Sequence, residues 1–547
     1  MKSIFKLWAV FVVALALIHP GSAAAKPVAP QFPAFMKEQL KFLSTGPMLL
    51  RAEAMGVTVI EGKNITEGGQ GENNEGLGVD VPVGADPAVD ENEPTVASNP
   101  TDDNRLVAGS HHFPDAGCAA YTSPDSGVTW SSPQIMPLLT ADSFCSDPVL
   151  AYAPDGKRVY YAYMDVKFLE EVTPTTIVFT EDLDILVSYS DNNGKTWKGP
   201  VIALNGDPTI FTFDLVTFEL LEFDPGFSYD KPWISTNVDQ SQKKWAYITA
   251  TRFDSNLDTP SDCHITFTRS GNKGTSWGAP VILDSSSGGC GDVVVQGSRP
   301  AGGVGNNVLV AWYHSGGDGW LNGNFAIRTR LSTNNGTSWN NIVTAATDSY
   351  ELPFWLGPMV FYHRWWGGMF PDLDIDDEGA AHIAYTHDPA ANPFPGFSDT
   401  PEDGDIRYIT STNPPYNSWS APLTINDDGM ERAQGWATLE TRTENNVSTV
   451  YMIWEDHRLS PDVPIEFPNS PNLYYDIFSA KKEPGSSSWA ANARVTDVSS
   501  ISDFIFVGDY FDLAPTDEFF FGIWTDRRDK TDIFDLEDDV YGSWRLE

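Results

Sequence analysis

An eight-residue turn sequence recurs along the chain and restricts its fold more than any other feature. It reads Ser-Asp-Asn-Asn-Gly-Lys-Thr-Trp at residues 190–197 and lies between two short apolar runs. Good copies occur at 123–130, 270–277 and 332–339, and weaker copies at 411–419 and 479–489. An Asp or Asn side chain bonds backbone amides two residues on, and Gly takes a positive φ at no steric cost. Each copy therefore predicts a tight turn between two strands.

The turns belong to a longer repeat of four strands. First strands of the repeat begin near Glu93, Asp147, Asp230, Val293, Asp372, Gln434 and Asp509, which gives seven units. Repeats of this kind bury a core only against their neighbours. The sequence therefore predicts an all-β protein, a single β-propeller of four-stranded antiparallel blades. Seven blades are favoured, and six are the alternative if one unit is an extension.

The two ends of the chain complete this organisation. The last unit has only three strands, so we expect Val57–Ile60 to supply the fourth and close the ring, which removes exposed sheet edges. Lys2 and Lys6 precede an apolar run at 7–18 and small residues at 23–25, which is typical of a signal peptide. The predicted domains are a signal peptide at 1–25, an N-terminal extension with the closing strand at 26–91, and the propeller at 92–547.

Charge and cysteine content restrict the location and the partners. The formal net charge of −41 disfavours nucleic acid and anionic membranes. It suits calcium binding, although no motif defines a cofactor. The signal predicts a secreted or periplasmic protein, and no second long apolar run predicts a transmembrane segment in the mature chain. The four cysteines have matching spacings and matching places in the repeat, which predicts the disulfides Cys118–Cys145 and Cys263–Cys290.

The repeated turns in their strand context resemble the Asp-box (BNR-repeat) propellers of the sialidase-like superfamily. The resemblance implies a propeller fold and a carbohydrate or glycoconjugate as partner. Active sialidases carry an Arg-Ile-Pro motif on their first inner strand, whereas 93–97 reads Glu-Pro-Thr-Val-Ala and has no arginine. Glycan binding is therefore favoured over classical sialidase catalysis. The alternatives are an exo-sialidase-like glycoside hydrolase that uses loop carboxylates and a non-catalytic protein-binding scaffold.

Function is expected on the face away from the recurring turns, where the connecting loops are long. Acidic residues at the predicted strand starts can hold a cation, serve in acid–base chemistry, or fix the strand by accepting backbone amides. Arg beside Asp at the ends of second strands is either a ligand clamp or an ion pair that supports a loop. The aromatic insert 351–370 either stacks on sugar or plugs the channel. The catalytic candidates are Asp147, Asp230, Glu455, Asp456 and Asp526. The ligand-binding candidates are Arg252, Trp365, Trp366, His387, Asp388, Arg458 and Arg527.

Overall fold

The computed structural model describes most of the chain from residue 80 onward. The described ranges are 80–84, 90–115, 117–257, 262–286, 289–290, 292–316, 324–350, 369–388, 404–429, 432–445, 447–460, 474–501, 508–516, 519–528 and 538–546. Strands dominate these ranges, joined by turns and by a 3-10 turn at Phe113–Asp115. The predicted signal peptide lies outside them. Within them no helix has the length and apolar character that a membrane crossing requires.

Four consecutive antiparallel strands form each of the first four blades. Blade 1 contains β2 Thr95–Asn99, β3 Asp102–His112, β4 Gly117–Ser123 and β5 Gln134–Ile135. Blade 2 contains β6 Ser143–Tyr152, β7 Val159–Val172, β8 Thr176–Ser190 and β9 Lys198–Leu204, and is widened by β10 Thr209–Asp214 and β11 Leu220–Asp224. Blade 3 contains β12 Phe227–Val238, β13 Lys244–Asp254, β14 Cys263–Ser270 and β15 Val281–Ser285. Blade 4 contains β16 Val295–Gly302, β17 Val308–Ser315, β18 Asn324–Ser332 and β19 Val343–Tyr350.

The remaining three blades follow the same order, except that the last one borrows a strand from the N-terminal side. Blade 5 contains β20 Asp372–Ile375, β21 Ala381–His387, β22 Asp405–Ser411 and β23 Leu423–Thr424. Blade 6 contains β24 Gln434–Glu444, β25 Val447–Asp456, β26 Tyr474–Lys482 and β27 Ala493–Arg494, with β28 Ser500–Ile501 also paired to β26. Blade 7 contains β29 Asp512–Pro515, β30 Phe519–Asp526, β31 Asp539–Leu546 and β1 Val81–Pro82.

The first strand of each blade packs against the first strands of its two neighbours. The contacts run from β2 through β6, β12, β16, β20, β24 and β29, and β29 returns to β2. The blades therefore form one closed ring around a central axis. The seven-bladed prediction is confirmed, and the six-bladed alternative is wrong.

A short N-terminal strand lies at the outer edge of blade 7. Val81 pairs with Gly542 and Pro82 with Tyr541 in antiparallel register, and the Val83 amide donates to the Val540 carbonyl at 2.9 Å. The sequence predicts Val57–Ile60 for this edge, and that segment lies outside the described residues. Among the described residues, the strand beside β31 is Val81–Pro82.

The recurring turns join third and fourth strands, as their sequence predicts. In blade 2, Ser190 Oγ accepts the Gly194 amide at 3.0 Å, and Asn192 Oδ1 accepts the Thr196 amide at 3.0 Å. Gly194 has φ 76°, and a Cβ there would meet a methyl of Thr122 on blade 1 at 2.7 Å. The glycine is therefore required both by its backbone conformation and by the close approach of the neighbouring blade.

Both predicted disulfides are present, and each joins neighbouring blades. Cys118 on β4 is bonded to Cys145 on β6, with a Cα–Cα distance of 5.4 Å. Cys263 on β14 is bonded to Cys290, which precedes blade 4, with a Cα–Cα distance of 5.6 Å. The bonds tie blade 1 to blade 2 and blade 3 to blade 4.

Candidate functional site

We call the end of the propeller where first strands begin and second strands end the mouth. Buried ionisable groups from several blades meet there around the axis. We call this group the central cluster, and its members are Glu93 and His111 of blade 1, Asp147 of blade 2, Lys231 of blade 3 and Asp509 of blade 7. Each is at most 7% exposed. The cluster is therefore a desolvated ionic site that connects four blades.

An unusual backbone places three of these side chains. Glu93, Asp147 and Lys231 have φ of 50°, 49° and 53°, and each precedes a proline. A positive φ is uncommon for residues with a side chain and is sustained only where the surrounding structure imposes it. In blades 2 and 3 the pairing of the first two strands also shifts at this point. Such a bulge turns a side chain away from the regular alternation of the strand.

Lys231 supplies the positive charge of the central cluster. Its Nζ pairs with Asp509 Oδ2 and lies 3.6 Å from Asp147 Oδ1 and 3.7 Å from Glu93 Oε1. Burial by itself would lower the pKa of Lys231, but the carboxylates of Asp147, Asp509 and Glu93 raise it above its ordinary value. The ammonium group therefore stays charged and binds the three carboxylates.

Burial shifts the pKa values of Glu93 and His111 in opposite directions. Desolvation raises the pKa of Glu93 well above its ordinary value, Lys231 opposes this, and Asp147 and Asp509 add to it. His111 Nε2 accepts the Asp147 amide at 2.9 Å, and its Nδ1 lies 2.8 Å from Asn92 Oδ1. These contacts require the ring proton on Nδ1. Burial lowers the pKa of His111 to about 4, so the ring is neutral.

A metal ion does not fit this arrangement. Glu93, His111 and Asp147 offer ligand atoms that lie within 4.8 Å of one another. However, the Lys231 ammonium already lies within 3.7 Å of both carboxyl groups, and the free electron pair of His111 Nε2 already accepts the Asp147 amide. A calcium ion also needs six to eight oxygen ligands. The cation of this site is Lys231.

The acidic residues at the predicted strand starts do not all occupy equivalent positions in the structure. Lys231, rather than Asp230, is equivalent to Glu93 and Asp147, and Asp230 instead accepts the Gln296 side-chain amide at 3.1 Å. Asp372 is the first residue of β20, and it accepts the Thr438 hydroxyl at 2.6 Å and the Leu439 amide at 2.9 Å. Asp372 therefore joins blade 5 to blade 6 rather than facing the axis with the cluster.

The candidates at the end of β25 are held within blade 6. Asp456 accepts two contacts from the Arg458 guanidinium, at 3.0 and 2.8 Å, and one from Trp454 Nε1 at 2.8 Å. Glu455 Oε1 lies 2.8 Å from His457 Nε2, and both residues are fully buried. Burial raises the pKa of Asp456, against the opposing effect of Arg458. Arg458 therefore forms an ion pair with Asp456 that supports its loop.

Blade 7 repeats this arrangement with Asp526 and Arg528. Asp526 accepts Arg528 at 2.9 and 2.7 Å and Trp524 Nε1 at 2.7 Å. The neighbouring Arg527 is buried, and its Nε lies 3.0 Å from Asp538 Oδ1. The predicted candidates Asp526 and Arg527 therefore both have charged partners within the protein.

The third predicted arginine is paired as well. Arg252 Nε donates to Asp254 Oδ1 at 2.5 Å, and its guanidinium lies 3.7 Å above the Phe227 ring. Asp254 also lies 3.3 Å from the His264 imidazole. Arg252 is the most exposed of the three arginines, with a side-chain exposure of 27%. Its charge is nevertheless balanced by the carboxylate of Asp254.

His387 differs from these residues because its ring is not hydrogen-bonded. It ends β21, it is 7% exposed, and neither ring nitrogen has a hydrogen-bond partner among the described residues. Burial lowers the pKa of His387 to about 3, and the charge of Arg407 adds to this. The adjacent Asp388 is buried too. Trp365 and Trp366 lie outside the described residues.

Sequence reasoning missed Lys231 and His111. A signal for Lys231 was present, because Glu93, Asp147 and Lys231 all precede a proline at the start of a first strand. The proline disfavours a helical conformation of the residue before it and marks a turn into the strand. Aligning the repeats on this proline would have placed Lys231 beside the two carboxylates. His111 ends a second strand without any such marker.

The class of protein that this fold defines is the seven-bladed β-propeller with four-stranded antiparallel blades. No protein-family model and no curated protein matches the chain. Among solved structures, the chain is similar to an ulvan lyase of a new polysaccharide lyase family, with a TM-score of 0.44, 10% identity, and coverage of 86% of this chain and 96% of that one. It is also similar to a Penicillium chrysogenum alpha-L-arabinanase complexed with arabinobiose (TM-score 0.39, 12% identity, 70% and 93% covered). A Hadza microbial sialidase gives a TM-score of 0.39 at 12% identity, with 68% of this chain and 64% of that chain covered. The chain thus spans less than two thirds of that sialidase, and these likenesses concern the fold alone.

Proposed function

We propose that this protein is an exported propeller that binds a glycan or glycoconjugate at its mouth and does not cleave sialosides. The observation that carries the proposal is the pairing of the mouth arginines. Arg252, Arg458 and Arg527 each contact a carboxylate of the protein itself. An arginine that is already paired this way has little capacity left to bind the carboxylate of a substrate.

The overall charge supports a neutral rather than an anionic glycan. The chain has a formal net charge of −41, so its field repels an anionic ligand unless a local cluster of arginines reverses it. The predicted arginines do not form such a cluster, because their partners are Asp254, Asp456 and Asp538. Neutral sugar hydroxyls, in contrast, can bond carboxylate oxygens and imidazole nitrogens without a charge penalty.

The geometry of the carboxylates favours binding over glycoside hydrolysis. Glycosidases hold two carboxyl groups about 5–10 Å apart with the sugar between them. Carboxylate oxygens of Glu93 and Asp147 lie within 4.8 Å of each other. The Lys231 ammonium lies 3.7 Å and 3.6 Å from them. The two carboxyl groups are therefore closer together than this spacing, and both already have Lys231 as a charged partner.

Purified protein is expected to show no turnover of a fluorogenic sialoside. The physical reason is that Arg252, Arg458 and Arg527, the predicted arginines among the described residues, already contact carboxylates of the protein. The matched variant is Arg252→Ala, because Arg252 is the most exposed of the three arginines. Like the wild type, it is expected to show no turnover of the sialoside. Robust hydrolysis that Arg252→Ala abolishes would contradict the proposal, since it would show that this arginine binds the substrate carboxylate.

His387→Phe is expected to weaken glycan binding about tenfold, the effect of one lost hydrogen bond. Stability should be unchanged or higher, because an apolar ring replaces a buried imidazole that lacks hydrogen bonds. A glycan array identifies the ligand, and calorimetry then compares affinities.

His382→Phe is the control. It removes contacts to Tyr408 at 2.7 Å and Asp376 at 3.2 Å near the other end of the same strand. The control should lose stability and keep its affinity. Equal affinity of His387→Phe and wild type would remove His387 from the ligand site.

A further inference from the structure

Blade 6 contains a side-chain network that fixes the start of its fourth strand. The Asp427 amide donates to Asn492 Oδ1 at 2.8 Å, and the Asn492 amide donates to Asp427 Oδ2 at 3.0 Å. Arg458 donates to Asp427 Oδ1 at 2.8 Å and to Asn492 Oδ1 at 3.0 Å. Asn492 directly precedes β27. The network therefore fastens the fourth strand of blade 6 to the segment that leads into the blade.

Blade 7 contains the same network with Asp80 in the place of Asn492. The Asp497 amide donates to Asp80 Oδ2 at 2.8 Å, and the Asp80 amide lies 3.4 Å from Asp497 Oδ2. Arg528 donates to Asp497 Oδ1 at 2.6 Å and to Asp80 Oδ2 at 2.5 Å. Asp80 directly precedes β1, the N-terminal strand that completes blade 7. The contact between the chain's N-terminal strand and its last blade therefore depends on a carboxyl.

The two networks differ at one group. Asn492 Nδ2 donates to the Ile425 carbonyl at 2.9 Å. Asp80 has the oxygen Oδ1 there, which is buried and has no hydrogen-bond partner among the described residues. An amide nitrogen donates a hydrogen bond, an ionised carboxylate only accepts, and a protonated carboxyl can donate again. A protonated Asp80 therefore carries a donor, as the Asn492 amide does, whereas an ionised Asp80 carries none.

The charges around Asp80 favour that proton. The groups that face it are Asp497 from the segment between blades 6 and 7, and Arg528 and Asp526 from the end of β30. The Arg528 guanidinium also lies 4.3 Å above the Tyr541 ring of β31. Burial raises the pKa of Asp80 to about 8, Asp497 adds to this, and Arg528 opposes it. The Arg528 guanidinium is thus shared by the carboxyl groups of Asp80, Asp497 and Asp526.

We propose that Asp80 is a pH-sensitive latch that closes the propeller ring when protonated and loosens the N-terminal strand when ionised. The free energy of unfolding is higher when Asp80 is protonated in the folded protein. Because the ordinary pKa of the carboxyl is 3.8, the unfolded chain loses this proton at a lower pH than the folded chain does. The contribution of the latch is complete below about pH 4 and is lost as the pH rises toward about 8.

The test compares wild type, Asp80→Asn and Asn492→Asp by thermal melting between pH 4 and pH 9. Asp80→Asn copies the amide of blade 6, so its melting temperature should equal that of wild type near pH 4 and exceed it by about 2 °C or more at pH 8 to 9. Asn492→Asp places the titratable group in blade 6. It should match wild type near pH 4 and melt lower at high pH.

Hydrogen exchange gives a local measurement of the same event. The Val83 amide, which donates to Val540 across the closing pair, should lose protection in wild type as the pH rises, after correction for the intrinsic exchange rate. It should keep its protection in Asp80→Asn. A melting curve of Asp80→Asn that runs parallel to wild type at every pH overturns the proposal. Equal Val83 protection in the two proteins at pH 8 overturns it as well.

Discussion

Lys231→Met is expected to destabilise the folded protein by about 3–5 kcal/mol at neutral pH, the cost of breaking a buried ion pair by removing one partner. The substitution keeps most of the side-chain volume but leaves the carboxylates of Glu93, Asp147 and Asp509 without their cation. Since these groups belong to blades 1, 2 and 7, their repulsion acts on the joint at which the ring closes. Urea unfolding at pH 7 measures the loss.

The pH dependence and a matched control identify the cause of this loss. Without the cation, the pKa of Glu93, which burial already raises, rises further, so the variant loses stability relative to wild type as the pH rises and approaches it in acid. Lys244→Met removes a partly exposed lysine, whose side chain is 27% exposed, from its pair with Asp155 and should cost at most about 1 kcal/mol. If Lys231→Met cost no more than this control at pH 7, the cluster would not be an ionic joint.

The propeller could be predicted because its decisive features are local. The turn at 190–197 encodes its own geometry, since Ser190, Asn192 and Gly194 make the turn bonds within one short segment. Seven such strand units in sequence then leave few arrangements other than a ring. The cysteines were predictable for the same reason, as their places in the repeat mark equivalent points of neighbouring blades.

The closing strand could not be predicted because its pairing is not local. Val81–Pro82 has only two residues in the ladder, and residues this few carry no alternating pattern. What fixes the strand is its pairing with β31 and the contacts of Asp80 with Asp497 and Arg528, all more than four hundred residues away in sequence. The apolar run at 57–60 has a clearer strand pattern, which is why sequence reasoning selected it.

The sequence predicts where the central cluster lies but not all of the residues that form it. Carboxylates at the starts of first strands do converge on the axis, as Glu93 and Asp147 show. The left-handed residue before the proline moves the inward-facing position by one residue, so Lys231 takes the place expected for Asp230. Whether an arginine is free also depends on its tertiary partners, and Arg458 is held by Asp456 and Asp427 from different segments.

Removing one disulfide with Cys118→Ala and Cys145→Ala is expected to lower the free energy of unfolding by about 3–4 kcal/mol. The bond closes a loop with a sequence separation of 27, and its loss restores conformational freedom to the unfolded chain. Both cysteines are also buried, so the alanines leave small voids at the boundary between blades 1 and 2. Urea unfolding of the oxidised wild type and the double variant measures the difference.

The second disulfide provides the matched comparison. Cys263→Ala with Cys290→Ala opens a loop of the same sequence separation, 27, between blades 3 and 4. The entropy of the unfolded chain therefore predicts equal losses for the two double variants, and any inequality reports what each bond does in the folded ring. The Cys118–Cys145 bond joins blades that also share the central cluster through Glu93 and Asp147, whereas the Cys263–Cys290 bond leads into blade 4, which supplies none of its members. A larger loss for Cys118–Cys145 would show that the disulfide and the central cluster support the same joint. A loss below 1 kcal/mol for both would mean that the ring holds its blades together without either bond.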